Sequence, residues 1–292
     1  MTPQDTRGFF VAGGYQGQRI VSQNGRDWTN HEIGKEGEVY RTVAFGKGRA
    51  VAVGSFGSGN IYTSTPNGKT WEPRGFKDGK YSSYVRNVCF GDGRFLAVGA
   101  DPLFTMASPD GLQWGDYQKL KAAENRQNQI LRRLAYGNDR YVAAGDFGRR
   151  ATSKDGVEWT ELPKTDVAET LIDVAFGKGR FVGVGLNGLC MSSEDGLTWA
   201  RRYSGEEGEH LNSVLWTGER FVAVGHGATY FSPDGTQWER RPSTNAPLTA
   251  AYGAGVFVGA HWKGRLLVSE DAVAWTQAFK SDHHFEVVAY GG

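Results

Sequence analysis

Apolar residues along this chain alternate with polar or small ones in short runs. This is the period-two signature of strands with one buried face, and helical spacing is largely absent. The unit is clearest between Arg41 and Trp71. A run ending Val43-Ala-Phe45 meets the turn Gly46-Lys-Gly48, a second run from Arg49 ends in Gly54, a third spans Asn60 to Ser64, and Trp71 opens a fourth. β-Branched and aromatic residues fill the runs and glycine punctuates them, so each unit is predicted to be a four-stranded antiparallel meander. The first turn recurs as Phe90-Gly-Asp-Gly-Arg94, Tyr136-Gly-Asn-Asp-Arg140, Phe176-Gly-Lys-Gly-Arg180 and Trp216-Thr-Gly-Glu-Arg220. The arginine opening strand two therefore belongs to the repeat and is read as structural. The longest break in the pattern, Lys119 to Gln129, is rich in Ala, Glu, Lys and Gln; it is read as a helix over part of one face or as a solvated loop.

Seven copies of a motif of the form Ser-x-Asp-Gly-x-x-Trp close the units, ending at Trp28, Trp71, Trp114, Trp159, Trp199, Trp238 and Trp275. Their spacings are 43, 43, 45, 40, 39 and 37 residues. Such a period signals a repeat architecture. The 17 residues after Trp275 and the 28 up to Trp28 make one further spacing of 45. The first unit lacks a first strand, opening on Phe9-Phe-Val-Ala-Gly-Gly14, and Phe285-Glu-Val-Val-Ala-Tyr-Gly-Gly292 has the pattern of that strand. The C-terminal strand is thus predicted to pair into the N-terminal blade and close an all-β, seven-bladed β-propeller, one domain over residues 1–292, with its sheet edges hidden. A linear β-solenoid would need capping units, and the repeats show none.

The motif has a plain physical reading. A Ser or Thr hydroxyl and the oxygen of Asn24, Asn67, Asp110, Asp155, Asp195, Asp234 or Asp271 satisfy backbone N–H groups in the hairpin between strands three and four. Gly supplies a positive φ, and Trp packs between blades. Repetition in every blade is what a fold requirement produces, so these positions are read as structural rather than catalytic or metal-binding. The units resemble the Asp-box, or bacterial neuraminidase repeat, of sialidase-like propellers. They are a short form, without a residue between Asp and Gly, with Asn24 and Asn67 in place of Asp and Ala272 in place of Gly. The resemblance implies fold more than activity, together with an extracytoplasmic location, periplasmic or secreted.

Composition narrows the partners. With 33 basic against 32 acidic side chains, no overall field favours nucleic acid, and no apolar run is long enough to span a bilayer. The first residues, Met1-Thr-Pro-Gln-Asp-Thr-Arg7, carry neither the basic nor the apolar region of a signal peptide. Cys89 and Cys190 lie in strand patterns of separate repeats and are read as buried free thiols.

Function is expected on the face formed by the loops joining strand two to strand three and each blade to the next, where residues break the repeat. Four positions before the aromatic that ends each first strand, the chain reads Arg41, Arg86, Arg132, Ile172, Asn212, Leu248 and Glu286. Three consecutive arginines have the bidentate geometry to take a carboxylate or sulfate, or they are ordinary salt-bridging residues. Tyr15, Phe56, Asp101, Asp146, Phe147, Asn187, His226, His261 and Trp262 fall in the same loops, with Tyr40, Tyr81 and Tyr84 nearby; aromatics beside polar groups suit stacking on sugar rings. The expected ligand-binding set is Arg41, Arg86, Arg132, Asp101, Asp146, His226, Trp262 and Tyr15.

The first functional expectation is a monomeric, non-catalytic binding or scaffold module without a cofactor, taking an anionic glycan or an acidic protein segment. The second is a sialidase-like glycoside hydrolase or a polysaccharide lyase with Asp101 or Asp146 as the acid, although the Phe/Tyr-Arg-Ile-Pro segment of sialidases is missing and their ring has six blades. The third is a protein-complex assembly factor. His226, His261, His283 and His284 lack metal-ligand spacing and are read as loop residues rather than a metal site.

Overall fold

The computed structural model describes residues 8–54, 61–66, 68–74, 84–100, 103–120, 131–163, 170–203 and 205–292. Seven four-stranded antiparallel sheets form a ring. Their innermost strands are Phe285–Gly291 in blade 1, Tyr40–Gly46 in blade 2, Tyr84–Gly91 in blade 3, Leu131–Gly137 in blade 4, Leu171–Gly177 in blade 5, Leu211–Trp216 in blade 6 and Thr249–Gly253 in blade 7. Blade 1 is completed as the pattern predicts. Phe285–Gly291 pairs antiparallel with Phe9–Gly14, so the last strand of the chain is the first strand of the first blade. Lys119 ends a strand, Gly115–Lys119, and does not begin a helix; residues 121–129 lie outside the described residues.

Each apolar cluster is shared between neighbouring blades. One joins Val51 and Val53 of blade 2 to Val85 and Phe95 of blade 3, and another joins Val182 and Val184 of blade 5 to Leu211 and Phe221 of blade 6. The aromatic-Gly dipeptide at the end of six of the seven first strands explains how closely the blades approach; blade 6 has Trp216-Thr217. A Cβ at Gly46, Gly91, Gly137 or Gly177 would overlap the terminal aromatic of the next blade, respectively Phe90, Tyr136, Phe176 and Trp216. Gly291 meets Phe45 in the same way, so the closing seam is packed by the rule that packs the rest.

The Trp-terminated turns carry the bonds expected of them. In blade 5, Gly196 donates to Ser193 Oγ at 2.9 Å, Leu197 and Thr198 both donate to Asp195 Oδ1 at 2.8 Å, and Trp199 Nε1 donates to the Gly196 carbonyl at 3.2 Å. Asn24 accepts the same pair of backbone bonds as a neutral amide. Three of the turns are also pinned to the neighbouring blade: Thr63 donates across to the Gly111 carbonyl, Thr105 to that of Gly156 and Thr229 to that of Ala272. Backbone N–H groups hold the Asp110, Asp195, Asp234 and Asp271 carboxyls below the usual carboxylate range. For Asp155 burial opposes the shift and the N–H groups of Val157 and Glu158 outweigh it. These turns are structural devices; Asn67 lies outside the described residues.

Both thiols are free. Cys190 is buried, whereas Cys89 is half-buried and lines the central channel, with its thiol pushed up to about 12 by burial.

Candidate functional site at the funnel mouth

The innermost strands do not pair evenly with their neighbours. In blade 2, Tyr40 and Thr42 face the adjacent residues Gly54 and Val53, leaving Arg41 without a partner across the sheet. The same one-residue skip occurs at Arg86, Arg132, Ile172 and Asn212 in blades 3 to 6, and at Glu286 in blade 1. A β-bulge frees one residue from the alternating pleat and re-aims its side chain. Six of the seven positions singled out in the sequence are therefore bulge residues. In blade 7 the pairing through Thr249 is regular, and Leu248 stays bonded to Ala260.

The residue after each bulge, and Thr249 at the same place in blade 7, does different work. Thr42, Asn87, Arg133, Asp173, Ser213, Thr249 and Val287 line a central channel of about 290 Å³. All but Val287 tie one blade to the next. Asn87 Nδ2 donates to Thr42 Oγ1 at 3.0 Å and its Oδ1 accepts from Leu134 N at 3.1 Å; Arg133 meets Asp173 at 3.3 Å; Asp173 accepts from Val214 N at 2.9 Å. Ala250 N donates to Ser213 Oγ and Val288 N to Thr249 Oγ1. Burial pushes the Asp173 carboxyl up, against the opposing pull of Arg133 and the backbone donors. Sequence reading missed this polar belt. Its signal was a hydrogen-bonding residue one place beyond the aligned position in six of the seven repeats, five of them directly after a bulge.

The three arginines come together at the mouth in three different states. Arg41 reaches Glu286 at 2.9 Å across the seam between blades 2 and 1, the seam where the belt has only Val287. Burial opposes its charge, but Glu286, Tyr84 and Tyr15 outweigh burial and hold the guanidinium above its ordinary value. Arg132 donates to Asp146 within its own blade. Arg86 lies between them and donates to the Tyr84 hydroxyl at 2.6 Å. No carboxylate pairs with it among the described residues. Burial, followed by the like charges of Arg132 and Arg41, pulls its pKa down, partly offset by Tyr84. Arg86 is thus a half-buried cation in a field that favours an incoming anion.

An aromatic platform adjoins this arc. Trp262 stacks on His284, with centroids 4.4 Å apart and planes at 14°. Tyr15 lies 5.4 Å from His284 and under the Arg41 guanidinium at 5.5 Å. His284 Nε2 is 3.4 Å from Glu286. Trp262 is 55% exposed and Tyr15 38%.

Other expected residues fall elsewhere. Tyr40 is 2% exposed and packs against Gly13, so it offers no stacking surface. His226 is exposed on blade 6, its backbone N bonded to the His210 carbonyl. His261 accepts from Arg265 at 2.8 Å, and burial followed by that cation lowers its pKa. Among the described residues no three His, Cys, Asp or Glu side chains form a metal-holding group. Asp101, Phe56 and Tyr81 lie outside the described residues. The Tyr–Glu pair that sialidase-like chemistry needs has a counterpart in Tyr230 and Glu209. Tyr230 is fully buried, and the Glu209 carboxylate also accepts from Arg240 Nε at 2.9 Å, so this pair is a buried clamp in blade 6.

No protein-family model and no curated protein matches the chain. Solved structures share its fold. YCF48 bound to D1 peptide superposes with a TM-score of 0.58 at 20% identity, over 82% of this chain and 80% of that one. YCF48 from Cyanidioschyzon merolae gives 0.58 at 16% identity, over 82% and 85%. The computationally designed protein Ika8 gives 0.59 at 13% identity, over 94% and 84%. No helix among the described residues is long and apolar enough to cross a membrane.

Proposed function

We propose that this propeller is a non-catalytic, monomeric binding module, and that an acidic segment of a protein partner docks at its funnel mouth with a carboxylate on Arg86. The observation that carries this reading is the asymmetry of the arc. Arg41 and Arg132 already hold Glu286 and Asp146, while Arg86, on the bulge between them, holds a phenol hydroxyl and no carboxylate among the described residues. A carboxylate arriving there gains charge-assisted bonds and relieves repulsion among three cations. YCF48, which shares the fold, is bound to D1 peptide, and this supports a protein segment as the occupant. The exposed faces of Trp262 and Tyr15 favour an acidic glycan as a second reading.

An extracytoplasmic setting belongs to the same proposal; cell fractionation of the source organism tests it, and sedimentation tests the monomer. The binding test uses Arg86→Ala, with a random-peptide phage library and an array of acidic glycans as probes. Wild-type protein is expected to enrich peptides containing Asp or Glu, and the variant to lose that preference at an unchanged melting temperature. Acidic peptides retained by the variant would overturn the reading, and acidic glycans bound in their place would establish the second one.

A further inference from the structure

Between strands two and three of blade 4, Asp146, Phe147 and Gly148 form a single tight turn with Phe147 at φ 53° and ψ 38°. Blade 5 builds the same turn from Leu186, Asn187 and Gly188, with Asn187 at φ 53° and ψ 44°. The left-handed region suits asparagine, and Asn187 uses it, its Oδ1 accepting from Gly208 N at 3.1 Å. A phenylalanine there is disfavoured by its backbone, and among the described residues packing gives nothing evident in return. Phe147 is 47% exposed, belongs to no apolar cluster, and sits beside the Arg132–Asp146 pair. Disfavoured backbone geometry that persists without compensation among the described residues points to a role in function.

The other exposed aromatics share its setting. Tyr15, Phe147 and Trp262 all lie in connections between strands two and three, on the mouth face, whereas exposed Val157 and Leu197 lie in the turns of the opposite face. Phe147 on blade 4 and Trp262 on blade 7 stand on opposite sides of the ring, with the arginine arc of blades 2 to 4 on one of the two paths between them. Two polar side chains of the same connection are already engaged, Asp146 by Arg132 and buried Arg149 by Glu161. An apolar ring thus stands beside a cationic site, where Asp146 and Arg149 are not available to bond the hydroxyls of a sugar.

We propose that Phe147 is a docking anchor for an apolar side chain that neighbours an acidic residue in a protein partner, with Trp262 and Tyr15 taking a second apolar side chain across the mouth. This rests on the reading of Arg86 as the carboxylate site, and it makes the partner an extended segment of acidic residues flanked by apolar ones.

The variant Phe147→Asn copies blade 5 and keeps the turn. It is expected to melt at or above the wild-type temperature. A random-peptide phage library panned on wild-type protein should enrich sequences with an apolar residue close to Asp or Glu. Panned on the variant, it should keep the acidic preference and lose the apolar one, and a wild-type-selected peptide should bind the variant at least tenfold more weakly. A melting temperature several degrees lower would show the ring to be a packing residue and overturn the proposal. Identical apolar enrichment on both proteins would do the same, as would an equal loss of acidic glycan binding. A library showing apolar but no acidic preference would refute the Arg86 reading and leave Phe147 to be judged on the apolar position. A library with no enriched sequence overturns both.

Discussion

Replacing Asn87 by Ala separates the two kinds of residue that stand side by side at each bulge. Asn87 is 2% exposed and bonds to Thr42 in blade 2 and Leu134 in blade 4, so one amide ties three blades together. Two buried hydrogen bonds contribute about 1 kcal/mol each in net terms, and a stranded buried N–H at Leu134 costs about 1–3 kcal/mol more. The adjoining channel, about 290 Å³ in volume, has room for a water to take up the freed donor, which pulls the total toward the low end. The expected loss is about 2–3 kcal/mol, or roughly 5 °C in melting temperature for a chain of this size. The control is Asn212→Ala, the same chemical change at a bulge position one place earlier in its repeat, where about 0.5 kcal/mol or less is expected. Urea denaturation of both variants with unchanged slopes measures the difference. Equal losses would refute the division of the mouth into a structural belt and a bulged, free row. A loss above about 5 kcal/mol would mean that the channel excludes water.

Two further outcomes test the frame. Gly291→Val drives a side chain into the Phe45 ring across the closing seam and should cost about 3 kcal/mol, whereas Gly115→Val, with no neighbour within 4 Å of its Cβ, should be close to neutral by thermal melting. The five turn carboxyls are held below their unfolded values, so the unfolded chain takes up protons first. Their stabilisation is complete above about pH 4 and is lost as pH falls through the depressed values; Asp173, pushed up by burial, works in the opposite sense, its contribution fading as pH rises through its folded value. Asp195→Asn should keep the turn, as Asn24 does, and show a shallower acid melting curve than wild type; an identical curve would remove the turn carboxyls from the account.

The ring, its seven units and its closing strand were legible because each rests on a local pattern repeated many times: period-two apolar runs, an aromatic followed by glycine, and a turn ending in Trp. The arginine row was legible for the same reason, since it occupies one place in the repeat. Its chemistry was not. Whether Arg41, Arg86 and Arg132 are equivalent depends on partners the repeat does not set. Glu286 comes from the far end of the chain through ring closure, Asp146 from the turn after strand two of blade 4, where blade 5 has Leu186, and Tyr84 from a strand start. His284 reads in sequence as a loop residue, and its contacts with Trp262, Tyr15 and Glu286, drawn from separate parts of the chain, were not legible there.

The bulge explains why one fold carries a stable ring and a variable mouth in adjacent residues. A bulge places two successive side chains where a regular strand would alternate them. The second then serves the belt, where Thr42, Asn87, Arg133, Asp173 and Ser213, joined by Thr249 of the regularly paired blade 7, all hydrogen-bond across blades despite their different chemistry. The first is released from pairing, and its identity ranges over Arg, Ile, Asn and Glu at the bulges. Where that freedom was used for neutral Ile172 and Asn212 in blades 5 and 6, the mouth carries no cation at this position, and the positive arc is confined to blades 2 to 4. Exposed Phe147 stands at one end of that arc, on blade 4. Trp262 and Tyr15 stand at the other, on blades 7 and 1, so charge and apolar surface together define an oriented track rather than a symmetric funnel.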